Sequence, residues 1–115
     1  MTTCMEHRWG QRVLADVPVT ITCEGQQFGM GRISNVSLSG ALLVTPLKMA
    51  LHASVAISLI GEARSSEDIF ASVVRTVPGG FAVEWRDMAS PPVIALIEHI
   101  SPDALRFDRR DPYAA

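Results

Sequence analysis

The sequence predicts an all-β domain, a six-stranded antiparallel β-barrel followed by one C-terminal α-helix. Three observations carry this. Apolar and polar residues alternate over most of residues 17–86, the mark of strands with one buried face. The alternating runs are short and are separated by turn formers, the spacing of a small barrel. The period changes only once, after Ser90-Pro91-Pro92, to that of an amphipathic helix.

Val17, Val19, Ile21 and Cys23 alternate with Pro18, Thr20, Thr22 and Glu24, which makes the first strand, and Pro18 places its start or an edge there. A turn over 24–27 leads into a second strand, 28–33, where Gly29 and Gly31 on one face predict a bend or the close approach of another backbone. The polar stretch Asn35-Val36-Ser37-Leu38-Ser39-Gly40 follows, then a third strand over 41–45. After a loop over 46–51 comes a strand at 53–60 that ends at Gly61, a polar hairpin loop over 62–66 and a strand at 67–77. Pro78-Gly79-Gly80 is a hairpin turn, and Phe81, Val83 and Trp85 alternate with Ala82, Glu84 and Arg86 in the last strand. In the helix, Ser90 is the N-cap, Pro91 takes the first helical position, Val93, Ile94, Leu96, Ile97 and Ile100 form the apolar stripe, and Ser101-Pro102 stops it. The expected organisation is a flexible N-terminal arm over 1–16, the barrel and helix over 17–101, and a tail over 102–115. Residues 41–60 are apolar enough to suggest a membrane span, but Pro46, Lys48 and His52 interrupt them, so no membrane insertion is expected.

The chain's 115 residues make one ordinary domain, and 48% hydrophobic against 19% charged residues make it core-forming. A net charge of -2 with 6% aromatic residues speaks against a nucleic-acid polymer as partner. All the cationic residues but Lys48 are arginines, so an anion site must be local and built from planar, forked donors. Cys4 falls in the arm and Cys23 reads as a small buried hydrophobe. Residues 1–16 lack a secretory apolar segment, so the expected location is cytoplasmic with reduced thiols, and Asn35-Val36-Ser37 is not read as a glycosylation site. No metal site is predicted, because Cys23, His52 and His99 show no pairing pattern with Cys4-Met5-Glu6-His7. No nucleophile elbow, phosphate loop or carboxylate pair stands out, so no catalytic residue is assigned and the chain is not read as an enzyme.

Two features point to a ligand. In residues 35–40, Val36 and Leu38 should enter the core while Asn35, Ser37 and Ser39 face outward as a polar ledge. Ahead of the first strand, the arm carries Arg8 and Arg12, whose guanidinium groups can fork onto phosphate oxygens, fork onto the O6/N7 edge of guanine, or stack on a base. Trp9 between them can stack on a base or anchor the arm. Arg32 and Arg75 lie in strands, where an outward-facing charge is the ordinary role, although either can border the site.

An Arg-x-x-x-Arg arm followed by Asn-x-Ser-x-x-Gly at a strand junction resembles the PilZ domain family, from about Arg8 to Ile100. The resemblance implies that family's split barrel and the binding of the bacterial second messenger cyclic di-GMP. Arg8 and Arg12 would hold phosphate and guanine edges, Asn35 and Ser37 would hydrogen-bond the ligand, and Gly40 would let it approach the backbone. His7, just before the first arginine, would bear on how many ligand molecules stack, and Trp9, Arg32 and Ser39 are further candidates. The implied device is an arm that orders over a rigid ledge and signals to a partner protein. The alternative is an interaction adaptor independent of nucleotide, with Phe107, Arg109, Arg110 and Tyr113 of the tail as contacts.

Overall fold

The computed structural model describes residues 12–23, 27–61 and 67–101. Strands β1 (Val13–Cys23), β2 (Gln27–Val36), β3 (Gly40–Val44), β4 (Ser54–Leu59), β5 (Ile69–Val77) and β6 (Gly80–Trp85) precede helix α1 (Pro91–Ile100). The strands close into a barrel in the order β1-β2-β3-β6-β5-β4, with every pair antiparallel. The six strands and the helix of the sequence reading are therefore all present, and closure leaves no free sheet edge.

Inward positions are aliphatic because alternation puts every second residue inside. Val19, Ile21, Ile33, Leu43, Ile57 and Val73 are fully buried, and Phe81 is the largest of the fully buried side chains. Val93, Leu96 and Ile97 of α1 join the same core. A ten-residue helix is marginal alone, and these three side chains, each contributing about 1.5–3 kcal/mol on burial, are what fix it. Ser90 stands at the N-cap in extended geometry, but its hydroxyl makes no capping hydrogen bond; its carbonyl accepts from Ile94 N at 2.9 Å.

Three departures have local causes. β1 starts at Val13, so residues 13–16, assigned to the arm by pattern, are strand. A bulge between Leu14 and Val17 breaks the period there, and the alternation becomes visible only beyond it. Pro18 is mid-strand rather than at an edge or strand start: its carbonyl accepts Ile60 N at 3.1 Å just past the end of β4, where its missing N–H costs no ladder bond. At Gly29 the close neighbour is a side chain rather than a backbone, since an added Cβ would lie 2.6 Å from the methyl carbons of Leu47. Leu47 is held across β2 by its amide donating to Thr45 Oγ1 (3.2 Å), whose hydroxyl donates to Met30 O (2.7 Å).

Candidate functional site

The chain must leave β2 at Val36 and re-enter the barrel at Gly40, so residues 37–39 turn almost in place. Such a turn strands backbone amides away from water, and a serine hydroxyl is the nearest acceptor for them. Ser37 is 1% exposed, and its Oγ accepts from the amides of Ser39 and Gly40, each at 3.2 Å. Ser37 N donates to Gly40 O at 2.8 Å, and the Ser37 and Ser39 hydroxyls lie 3.1 Å apart. The expected outward orientation of Ser37 is thus corrected: its side chain is spent on building the turn. Val36 is buried as expected, and half-buried Leu38 packs against the core.

Trp85, which pattern alone placed only as a strand residue, underpins the ledge. Its indole Nε1–H donates to Ser37 O at 3.0 Å and its amide donates to Ser39 O at 2.9 Å. A buried tryptophan needs a partner for its N–H, and that was the available signal. Gly40 follows from the same packing. A Cβ there would sit 2.2 Å from Val83 O, so the backbone that approaches Gly40 is that of β6.

Asn35 does face outward. A bulge between Ile33 and Asn35 sets Ser34 and Asn35 together against the outward position Leu42, while Ile33 and Val36 on either side both point in. Arg12 Nη1 donates to Asn35 Oδ1 at 2.8 Å. With its oxygen accepting that bond, the amide presents its two N–H donors to whatever lies above. Partial shielding from water first, and then the positive charge of Arg75, hold the largely exposed Arg12 guanidinium below its ordinary pKa. It remains a cation, under electrostatic pressure that an anion would relieve.

Arg8, His7 and Trp9 lie outside the described residues, as do Cys4 and the tail. Of the expected pairs, the structure brings together Arg12 and Asn35, and Ser37, Ser39 and Gly40 with one another. Arg32 is engaged elsewhere, its Nε donating to Asp16 Oδ1 in an exposed ion pair. A separate open depression of about 580 Å³ lies between Asp68, Phe70, Arg86, Asp87 and Pro91; there Arg86 sits over the Phe70 ring at 5.2 Å, and the neighbouring carboxylates suit no polyanion. Among the described residues no helix is long and apolar enough to cross a membrane, and no cluster of residues could hold a metal ion.

Comparison with known proteins places this geometry. The family model described as PilZ domain matches residues 6–101. Similar solved structures are the PilZ domain of CeSA from a cellulose-synthesizing bacterium (20% identity, TM-score 0.59, covering 77% of this chain and 93% of that one), the Bacillus subtilis inhibitor of motility MotI/DgrA (19%, 0.61, 83% and 50%), and K. pneumonia MrkH in its apo state (14%, 0.56, 87% and 52%). The chain thus spans about half the length of the last two. No curated protein matches the sequence.

Proposed function

Because the chain belongs to the PilZ domain family, we propose that it is a non-catalytic receptor for cyclic di-GMP that passes ligand binding on to a partner protein. The observation that carries this reading is the 2.8 Å bond from Arg12 to Asn35, which joins the arm motif to the ledge motif. It sets a guanidinium fork beside two amide donors on a rigid strand. One partner offers charge to a phosphate, and the other offers hydrogen bonds to a guanine edge. The turn beneath does not have to form on binding, because Ser37 and Trp85 already hold it. In this reading the arm closes over that turn on binding, and a partner reads its position.

Calorimetric titration of cyclic di-GMP into the wild-type chain and into an Arg8→Ala/Arg12→Ala variant tests the reading. Saturable binding that the double substitution abolishes supports it. No wild-type binding at tens of micromolar overturns it and leaves the nucleotide-independent adaptor.

A further inference from the structure

We propose that Arg75 is a third cationic anchor of this site, set at the other end of a lateral row from Asn35 and placed to take the second phosphate of a cyclic dinucleotide. The proposal rests on the functional reading above and adds a residue that the arm and ledge motifs do not contain.

The strand register supplies the first argument. Leu14 pairs with Asn35, Asn35 with Leu42, Leu42 with Ala82, and Ala82 with Arg75. These five residues form one lateral row on the outer face of the barrel, because Phe81 and Val83, flanking Ala82, both belong to the core. Three ladders are irregular at this row: β1–β2 between Leu14 and Val17, β2–β3 between Ile33 and Asn35, and β5–β6 between Val73 and Arg75. Bulges re-aim side chains and gather beside functional sites. Here the β5 bulge does for Arg75 what the β2 bulge does for Asn35. Were Val74 paired with Ala82 in a regular ladder instead of bulged, Arg75 would face Phe81 and point into the barrel.

The second argument is shape. Ala82 points outward yet is only 4% exposed, so the middle of the row is covered. Asn35 stands on one side of it, beyond Leu42, and Arg75 on the other. Three strand spacings separate them, about 14 Å at 4.8 Å each, a span suited to a flat macrocycle whose two phosphates lie on opposite sides of its ring. The third argument is charge. Arg75 is exposed and forms no ion pair among the described residues, and its charge is close enough to act on Arg12. Two like charges within reach of each other repel, and an anion between them turns that cost into attraction.

The test is calorimetry with cyclic di-GMP on wild type, Arg12→Ala, Arg75→Ala and Arg75→Lys, each at two salt concentrations, with thermal melting of every variant. Arg75→Ala should bind about tenfold more weakly, the equivalent of one lost charged contact, with a shallower salt dependence and an unchanged melting temperature. Arg75→Lys, which keeps the charge and loses the fork, should fall between Arg75→Ala and wild type. Wild-type binding that Arg12→Ala abolishes while Arg75→Ala stays within twofold overturns this proposal alone. A wild-type chain that takes up no nucleotide overturns it together with the functional reading.

Discussion

Replacing Gly40 with alanine should damage the fold before it damages ligand binding. The new Cβ would lie 2.2 Å from Val83 O, so the backbone of β6 would have to retreat by about 1 Å. A ladder bond near 2.9 Å does not survive that displacement. The bond at greatest risk beside it is Trp85 N to Ser39 O at 2.9 Å, which ties β6 to the ledge. Overpacking costs about 1–3 kcal/mol and each weakened hydrogen bond about 0.5–1.5 kcal/mol, so the total is about 2–5 kcal/mol. For a domain of this size, each kcal/mol shifts the melting temperature by about 4–8 °C, so Gly40→Ala should melt at least about 10 °C below the parent. Gly79→Ala is the control: its φ is 82°, but no atom lies within 4 Å of the added Cβ. Backbone strain of about 1–2 kcal/mol is its whole penalty. Thermal melts followed by circular dichroism, with nucleotide titration of whatever remains folded, separate the two roles of Gly40. A Gly40→Ala variant that melts within about 3 °C of the parent but no longer binds nucleotide refutes the packing argument and returns Gly40 to the ligand.

Other outcomes follow from the same contacts. Ser37→Ala removes the acceptor for the Ser39 and Gly40 amides and should cost about 1–3 kcal/mol, read as a lower urea midpoint with an unchanged slope. Trp85→Phe keeps most of the packing but leaves Ser37 O without its indole donor; a loss of about 1–3 kcal/mol is expected, and Ser37→Ala combined with it should be non-additive, because both act on one turn. Arg12→Ala should leave the melting temperature nearly unchanged, since the side chain is exposed, while abolishing nucleotide binding. Asp16 has its pKa lowered chiefly by the hydrogen bond from Arg32; its stabilising effect is therefore present above the ordinary carboxylate value of 3.8 and is lost as pH falls through the lower folded value. The melting temperatures of wild type and Asp16→Asn should accordingly converge on acidification below about pH 4, and a gap that stays constant down to the acid limit would contradict that assignment.

The barrel was legible because its strands alternate. Val19, Ile21, Ile57, Val73, Phe81 and Val83 are all buried where period two places them. The helix was legible from Ser90-Pro91 and the spacing of Val93, Leu96 and Ile97. Illegible were the places where the chain breaks its own period. The bulge after Leu14 hid the start of β1, and the turn at Ser37 inverted the expected direction of a polar side chain. That Arg12 meets Asn35 followed from motif spacing, because the two stand beside each other where β1 begins and β2 ends. Trp85 was not legible as part of the site, and Arg75 reads in the sequence as an ordinary strand charge that can border the site, because their surroundings depend on which strands are neighbours, and β6 lies between β3 and β5 only once the barrel has closed.

The bulges also determine which kinds of sequence change this surface can absorb. Ser34 and Val74 are each an extra residue that the strand takes up as a bulge without turning its successor inward. Exchanging either for another small or β-branched residue leaves the outer row in place. Pairing either in a regular ladder would instead carry Asn35 or Arg75 to an inward position among aliphatic side chains, where an amide or a guanidinium has no partner, whereas deleting either leaves Asn35 opposite Leu42 and Arg75 opposite Ala82. In the drift of such a chain over time, the bulges should therefore tolerate substitution and even the loss of their extra residue, while an added residue that the ladder cannot bulge out would turn the outer row inward.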